Sequence, residues 1–380
     1  MSTTLTTTDY MTSVEPIAAG VIAANAIDVD QNGTFPRAAL DELGKAGLLG
    51  LVSATEVGGM GREMRAAALV VERIAQECAS TAMIVCMHYA ATAVIEAHGA
   101  GTVREQIAAG KHLTTLAFSE AGSRSHFWAP VSTATDVANN GHVRLDAKKS
   151  WATGAGEVDS YVWSSKPMSA EGASTIWLVP AGSAGLKISG VFDGLGLRGN
   201  ASSPVNAEGV LVEKAAMLGN DGDGFNIMMG VVLPYFCVMN AAMSIGTMNA
   251  ATTRAAAHVS STKYEHLNAA LADLPTIRAY IARARLKTDM TRGLFLDTLA
   301  ALESNRPDAM LRVLEVKAAG GETALEVTDL AMRVCGGAAF RKEVGVERNF
   351  RDARAANVMA PTTDVLYDFI GKAVCGMQLF

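Results

Sequence analysis

Two short segments of the sequence carry side chains that could bind a flat, partly anionic ring system. Residues 119–125 read Ser-Glu-Ala-Gly-Ser-Arg-Ser, and residues 149–154 read Lys-Ser-Trp-Ala-Thr-Gly. Together they offer backbone N–H groups, small hydroxyls and one large aromatic face, that of Trp151. A ring such as a flavin needs an apolar face with a few hydrogen-bonding groups at its edge. Lys148 and Lys149, just before Trp151, are expected to lie in a solvated turn.

The stretch between these segments has the pattern of a β-hairpin. The turn around Asn140-Gly141 separates two runs of strand character, residues 131–137 and 143–147. Asn-Gly between two such runs is a strong hairpin signal. We expect the hairpin to bring the two segments close together.

The flanking sequence predicts helices, because apolar residues recur there at helical spacing. In the first third of the chain the predicted helices cover residues 10–26, 36–49, 65–79, 81–98 and 103–109, and in the last third they cover 225–259, 274–302, 307–334 and 353–374. Runs rich in β-branched and aromatic residues predict short strands over 161–165, 174–180, 186–189 and 205–212.

This pattern predicts an α+β, multi-domain fold. An all-helical N-terminal domain is expected over residues 1–113, and a middle β-barrel or sandwich over residues 114–218. Residues 219–380 are expected to form a C-terminal four-helix bundle.

Composition narrows the classes of function. The net charge of −6 and the sequence pI near 5.7 leave no basic stripe, so nucleic acid is not an expected partner. Residues 1–8 lack the build of a signal peptide, and the most apolar stretch, 228–248, is interrupted by Pro234 and Asn240. Five cysteines without metal-ligand spacing indicate reduced, buried thiols and no metal site. The expected location is the cytoplasm, without a membrane partner.

The order of helical, β-rich and helical segments resembles the acyl-CoA dehydrogenase family over residues 35–371. Six short motifs carry this resemblance: Gly58-Gly59-Met60-Gly61, Ser119-Glu120 through Ser125, Lys149-Ser150-Trp151-Ala152-Thr153, Leu197-Arg198-Gly199-Asn200, Cys335-Gly336-Gly337 and Arg351-Asp352-Ala353-Arg354. The resemblance implies an FAD-dependent oxidoreductase that assembles as a homotetramer.

The resemblance also implies roles for the residues of the two segments. Ser119 matches the residue whose hydroxyl and backbone N–H meet the pyrimidine edge of the flavin. Trp151 matches the aromatic residue that packs on the isoalloxazine, and Thr153 matches the hydroxyl near flavin N5. Ser125 matches a polar contact near the flavin phosphate.

The ADP half of the FAD site departs from the family in part. Gly336 and Gly337 match the loop that lets a neighbouring subunit's FAD approach closely, which requires residues without a Cβ. The family's pyrophosphate-binding arginine is replaced by Ser261, which leaves Lys263 to supply a charge as a point donor. Arg333 stands where a glutamine is usual. FMN or a diffusible reduced flavin is therefore the alternative to FAD.

The glutamate that abstracts a proton in the family's dehydrogenases is missing. Where the family carries Tyr-Glu-Gly-Thr, residues 359–362 read Met-Ala-Pro-Thr, so Ala360 takes the glutamate position and Thr362 is assigned to the cofactor site. Some members place the base on the first bundle helix, but residues 232–236 also contain no carboxylate. Asp364 is the candidate replacement, although its place matches a family glutamine that contacts the cofactor.

Two histidines are candidates for acid–base chemistry. His88 lies in the apolar helix predicted over residues 81–98, where a satisfied core histidine is the alternative. His126 leads into Phe127-Trp128, which could wall a pocket for a ring-shaped substrate or pin the loop to the β domain. The oxygen-using branch of the superfamily also lacks the glutamate and uses a histidine from the His88 helix region.

Three functions remain open. The first is a monooxygenase or oxidase in which reduced flavin reacts with oxygen and the substrate need not carry coenzyme A. The second is an acyl-CoA dehydrogenase with a relocated base, since loss of a general base lowers a rate by about 10²–10⁴-fold. The third is a non-catalytic flavin-binding protein. The expected partners are a small-molecule substrate such as an acyl-CoA, and a flavin reductase or an electron-transfer protein.

Overall fold

Helices occupy the N-terminal part of the chain, as the apolar spacing predicts. The computed structural model describes residues 9–124, 126–137, 140–266 and 268–379. The helices here are α1 (Asp9–Ile17), α2 (Ala23–Gln31), α3 (Arg37–Lys45), α4 (Met64–Ala75), α5 (Ala79–His98) and α6 (Gly101–Ala108). A π-helical turn, Ala18–Ile22, joins α1 to α2, and α2 ends at Gln31, five residues past the end predicted at residue 26.

Two four-stranded sheets form the β-rich middle of the chain. Their strands are β1 (Thr114–Ala117), β2 (Thr133–Val137), β3 (His142–Ala152), β4 (Ser160–Ser165), β5 (Thr175–Pro180), β6 (Leu186–Ile188), β7 (Ser203–Glu213) and β8 (Met217–Leu218). One sheet has the strand order β1-β4-β5-β8 and the other β2-β3-β7-β6. The pair β1 and β4 is parallel, and the neighbouring pairs β4–β5 and β3–β7 are antiparallel. The predicted sheet-containing middle part is confirmed.

Strands β2 and β3 form the predicted hairpin. Their antiparallel register places Thr133 opposite Asp146. Gly141 in the turn has a φ of +70°, in the left-handed region that favours glycine, whereas Asn139 lies outside the described residues. Strand β3 continues for 11 residues, so the hairpin leads directly into the segment around Trp151.

Long helices return in the last third of the chain and confirm its predicted helical character. They are α7 (Gly224–Ile227), α8 (Leu233–Ser261), α9 (Pro275–Glu303), α10 (Ala309–Cys335), α11 (Val346–Val358) and α12 (Thr363–Val374). A π-helical turn, Met228–Val232, precedes α8, and a small hairpin of β9 (Lys263–Tyr264) and β10 (Ala269–Ala270) follows it. Helix α10 packs against α9, α11 and α12.

The prediction of one helix over residues 353–374 is wrong. Helix α11 ends at Val358 and α12 begins at Thr363. Pro361 lies in the break between them. A proline has no N–H to donate and its ring clashes with the carbonyl group four residues earlier, so a regular helix does not continue through it. Ala360 therefore lies in a short connecting segment.

The chain divides into two compact units. One contains the residues up to Val70, Met83–Asp193 and Arg198–Phe236, and the other contains Val71–Ala82, Gly194–Leu197 and the residues from Cys237 onward. Helices α4, α5 and α8 each contribute residues to both units. The three domain boundaries drawn from the sequence stay a prediction.

The most apolar segments are buried. Two helical segments, Ala79–His98 and Gly224–Ser261, would be long and apolar enough to span a membrane, but 83% and 78% of their apolar windows are buried inside the protein, as in core helices. Four of the five cysteines are buried as predicted, whereas Cys375 is exposed.

Candidate functional site

A buried ion pair joins the two segments that the sequence singles out. Lys149 Nζ lies 2.6 Å from Glu120 Oε1, and both side chains are buried. The same two residues form an antiparallel β-bridge. Beside it, the Ser150 N–H donates to the Ser119 carbonyl oxygen at 2.9 Å. The hairpin therefore brings the two segments together, as predicted.

Hydrogen bonds from the same unit satisfy the ion pair. Glu120 accepts from the backbone N–H groups of Val131 and Ser132 at 2.7 and 3.0 Å, and from the Ser132 hydroxyl at 2.6 Å. Lys149 donates to the carbonyl oxygen and hydroxyl of Ser164 at 2.7 and 3.0 Å. Burial lowers the pKa of Lys149 to about 8, so the ammonium group stays mostly protonated at neutral pH. Burial alone would raise the pKa of Glu120, but Lys149 and these hydrogen bonds outweigh it and lower that pKa.

The expectation that Lys149 lies in a solvated turn is wrong. Lys148 is exposed, but Lys149 is buried at the next position of the same strand. Its partners Ser164 and Glu120 are distant in sequence, so the local sequence gives no sign of the burial. The available signal was that the first segment contains a carboxylate, Glu120, and the second contains a lysine, Lys149.

A β-bulge turns Trp151 outwards. In β3, Leu145 and Lys149 are buried at alternate positions, a pattern that would also bury Trp151. The pairing of β3 with β7 shifts in register between Lys149 and Ala152, and Ala152 is the next buried residue. A bulge re-aims the side chains around it. Trp151 is consequently 60% exposed, with its ring edge-on to Phe192 at a centroid distance of 6.1 Å.

Thr153 has a fixed position just after Trp151. The backbone N–H groups of residues 154–155 donate to the carbonyl oxygens of residues 200–201 at 2.8 and 3.0 Å. Thr153 Oγ1 lies 3.1 Å from Ser202 Oγ, and both residues are buried. Backbone pairing and a hydroxyl contact thus determine where the Thr153 hydroxyl lies.

The serine-rich loop contains a polar atom without a partner. Ser123 Oγ is buried and makes no hydrogen bond within the described part of the chain. Ser119 is half-buried, and Arg124 has a φ of +49°, which is uncommon for a residue other than glycine. Ser125 lies outside the described residues. A buried hydroxyl without a partner needs a water or ligand atom.

Backbone groups hold the ring of His88 on both sides. The Thr114 N–H donates to Nδ1 at 3.2 Å, so Nε2 carries the proton and donates to the Leu49 carbonyl oxygen at 2.9 Å. Burial lowers the pKa of His88 to about 4, which keeps the ring neutral at neutral pH. Because both nitrogens are occupied, these contacts favour the core interpretation. A catalytic role for His88 stays a prediction that they oppose.

His126 differs from His88 in being exposed. Its ring lies edge-on to Trp128 at a centroid distance of 5.2 Å. Phe127 and Trp128 are buried, and Phe127 stacks on Phe118 with centroids 6.4 Å apart. The two aromatic rings therefore hold the loop against the β-rich part, and His126 keeps an accessible ring whose role stays a prediction.

In the second unit, a buried lysine fixes the segment that contains Ala360. Lys317, on α10, donates through Nζ to the carbonyl oxygens of Ala356 and Met359 at 3.1 Å each, and to that of Pro361 at 2.7 Å. Burial lowers the pKa of Lys317 to about 8. Two of these carbonyl groups flank Ala360, so the backbone there is held on both sides of its methyl group.

Thr362 and Asp364 lie at the start of α12. The Thr362 hydroxyl makes no capping hydrogen bond to the helix. Asp364 is exposed in the first turn. The pKa of Tyr367 is raised to about 12, first by burial, then by its hydrogen bond to Glu322, with a smaller effect of the Asp364 charge. Asp364 as a base and Thr362 as a cofactor ligand stay predictions.

The residues predicted for the ADP half also lie in the second unit. Arg333 is exposed near the end of α10, with its guanidinium 4.7 Å from the ring centroid of Tyr280. Gly336 has a φ of +56°, and a Cβ on Gly336 or Gly337 would meet no atom within 4 Å. Lys263 is exposed in β9. Open space beside the two glycines fits the close approach of another molecule.

The first unit contains side chains that suit a flavin ring. An exposed indole offers a face for the ring, and the hydroxyls of Ser123 and Thr153 offer polar contacts for its edge. An apolar wall with a few placed polar groups is typical of cofactor sites.

Comparison with known sequences identifies the family. The acyl-CoA dehydrogenase N-terminal domain matches residues 6–110, the middle domain matches residues 115–210 and the C-terminal domain matches residues 222–375. A probable acyl-CoA dehydrogenase of Bacillus subtilis, YngJ, is 26% identical over 364 residues, which cover 93% of each chain.

Solved structures share the fold along the whole chain. Butyryl-CoA dehydrogenase from Megasphaera elsdenii has a TM-score of 0.90 at 21% identity and covers 99% of this chain and 100% of its own. FMN-bound TdsC from Paenibacillus has a TM-score of 0.86 at 19% identity and covers 97% of both chains. The chain therefore belongs to the acyl-CoA dehydrogenase family, a family of flavin-dependent oxidoreductases.

Proposed function

We propose that this protein is a flavin-dependent monooxygenase or oxidase and not an acyl-CoA dehydrogenase. The observation that carries the proposal is Ala360, which stands where the resemblance places the dehydrogenases' glutamate. Abstraction of a proton beside a thioester needs a base within hydrogen-bond reach. The Lys317 contacts hold this segment, and residues 359–362 contain no carboxylate that a small shift could bring into place. An oxygen-using reaction does not need a base here.

The second family position for the base supports the same proposal. Residues 232–236 read Val-Leu-Pro-Tyr-Phe, again without a carboxylate.

One observation favours the alternative, a dehydrogenase with a relocated base. Burial raises the pKa of Tyr235, and the charge of Glu63 raises it further. The Glu63 carboxylate therefore lies close enough to Tyr235, within residues 232–236, to affect it electrostatically.

Four side chains of the first unit have roles in the proposed function. Flavin, when bound, accepts a hydride and, once reduced, reacts with molecular oxygen. Trp151 covers one face of the ring, Thr153 places its hydroxyl at the reactive edge, and Ser119 and Ser123 bind the polar edge. FAD is the proposed cofactor. FMN is the alternative, which the changed residues Ser261 and Arg333 and the FMN-bound TdsC support.

The proposal includes partners and an assembly. A flavin reductase or an electron-transfer protein supplies the electrons, and the substrate is a small molecule that need not be an acyl-CoA. A homotetramer is proposed, because α9 exposes Leu286 and Met290 one helical turn apart. Apolar side chains exposed together in this way are typical of subunit contacts. The proposed location is the cytoplasm.

Reduction of the bound flavin under nitrogen tests the proposed function. The purified protein is mixed with a panel of acyl-CoA thioesters, and separately with NAD(P)H and a flavin reductase, while its visible spectrum is recorded. We expect only the reductase system to bleach the flavin. Bleaching by an acyl-CoA would replace the proposal by the dehydrogenase alternative. Failure to take up flavin in either redox state would overturn both.

A further inference from the structure

We propose that Ser202 is a positioning residue whose hydroxyl pairs with that of Thr153, so that Thr153 can either donate a hydrogen bond to its ligand or accept one from it. The inference rests on the proposed function, because it takes the ligand at Thr153 to be a flavin. The resemblance places Thr153 near N5, and it assigns nothing to Ser202.

The hydroxyl groups of Thr153 and Ser202 lie within hydrogen-bond distance of each other. Thr153 Oγ1 and Ser202 Oγ are 3.1 Å apart in a buried place, and neither makes another side-chain hydrogen bond within the described part of the chain. Each hydroxyl has one proton and two lone pairs. If Ser202 donates to Thr153, then Thr153 keeps its own proton for a ligand. If Thr153 donates to Ser202, then Thr153 offers the ligand a lone pair only.

The backbone keeps Ser202 in this position. The Ser202 N–H donates to Asn200 Oδ1 at 3.0 Å. Residues 200–201 accept from the N–H groups of residues 154–155. Ala201 has a φ of +50°, a conformation that a residue other than glycine keeps only when its surroundings impose it. The Ser202 hydroxyl is thus placed against Thr153 by several contacts that do not involve either side-chain oxygen.

The pair suits a ligand atom that changes its hydrogen-bonding character. N5 of an oxidised flavin accepts a hydrogen bond, whereas the N5–H of a reduced flavin donates one. Thr153 can serve the oxidised ring when it accepts from Ser202 and donates onward. It can serve the reduced ring when it accepts from N5–H and donates to Ser202. Both arrangements move hydroxyl protons by rotation alone, with no net proton transfer.

The ratio of the dissociation constants for oxidised and reduced flavin measures this role directly. It is determined by equilibrium binding under nitrogen for Ser202→Ala, Thr153→Ala and the double variant. We expect each single substitution to change the ratio by about three- to tenfold, the range of one hydrogen bond. We expect the double variant to change it no further, because residues that act together are not additive.

Two further variants separate the hydroxyl from the shape of the side chain. Ser202→Thr and Ser202→Val introduce the same branched shape, and only the threonine keeps a hydroxyl, so the threonine variant should keep the wild-type ratio and the valine variant should not. Ser203→Ala is the matched control, because Ser203 is also buried but makes no bond to Thr153.

The outcomes are distinguishable. Equal ratios for the threonine and valine variants, or fully additive effects of Ser202→Ala and Thr153→Ala, would overturn the role of Ser202 while the flavin site stands. A wild-type protein that binds no flavin would overturn the proposed function, and this inference with it.

Discussion

Lys149 Nζ lies 2.6 Å from Glu120 Oε1 where neither side chain reaches solvent. The pair ties the loop that begins at Ser119 to the strand that presents Trp151. A buried ion pair adds little stability when compared with an apolar pair, but removal of one partner leaves the other charge buried and unpaired. The segments around Ser119 and Trp151 therefore depend on a contact that cannot be recognised from the sequence of either segment alone.

Removal of the Lys149 charge should destabilise the protein strongly. Lys149→Met leaves the Glu120 carboxylate buried without its cation, and we expect the free energy of unfolding to fall by about 3–5 kcal/mol. Denaturant unfolding measures the change. Lys148→Met is the matched control, since Lys148 is exposed and its loss should change stability by less than about 0.5 kcal/mol. Equal effects of the two substitutions would contradict the buried pair.

His88 should make the protein less stable in mild acid. Its folded pKa of about 4 lies below the ordinary value of 6.5. Between these two pH values the unfolded chain binds more protons than the folded protein. The free energy of unfolding therefore rises with pH across this window and falls as the pH is lowered through it. The shift corresponds to about 3 kcal/mol. Unfolding from pH 4 to 7 measures it. A ring that titrates near pH 6.5 in the folded protein would refute this assignment.

Trp151 and Trp163 should respond oppositely to truncation. Trp151 is exposed, so Trp151→Ala should change stability by less than about 1 kcal/mol but weaken flavin binding at least about tenfold. Trp163 is fully buried, and Trp163→Ala should cost about 3–5 kcal/mol. Thermal unfolding and flavin titration of both variants make the comparison. Unchanged flavin affinity of Trp151→Ala would remove Trp151 from the site.

Lys317 should control the order of the segment around Ala360. Lys317→Met leaves three carbonyl groups without their donor, and we expect a loss of roughly 2–4 kcal/mol. Amide hydrogen exchange should increase in residues 357–363. Lys187→Met removes a lysine from an exposed pair with Glu208 and should change neither quantity appreciably. Exchange that stays slow in Lys317→Met would show that other contacts hold the segment.

The sequence predicted what depends on short-range patterns. The Asn140-Gly141 turn and the alternation around it were enough for the hairpin, because a short connection between two neighbouring strands makes them pair with each other. Apolar spacing was enough for the long helices. The break before α12 is also predictable from the sequence, since Pro361 lies inside the predicted helix and a regular helix does not continue through a proline.

The features of the site that the sequence did not predict depend on distant residues. Lys149 is buried by Ser164 and Glu120, and Trp151 is exposed because the pairing with β7 contains a bulge. The Ser202 contact with Thr153 arises from a loop 49 residues further along the chain. None of these contacts can be recognised in the local sequence, which by itself would place Lys149 in water.

The central claim is that the chain binds a flavin while Ala360 occupies the position that the resemblance assigns to the dehydrogenases' general base. The most direct test is an anaerobic titration with an acyl-CoA panel, recorded as flavin absorbance for the wild type and for Ala360→Glu. We predict that the wild-type flavin stays oxidised with every thioester. Bleaching of the wild-type flavin by any acyl-CoA would contradict the account.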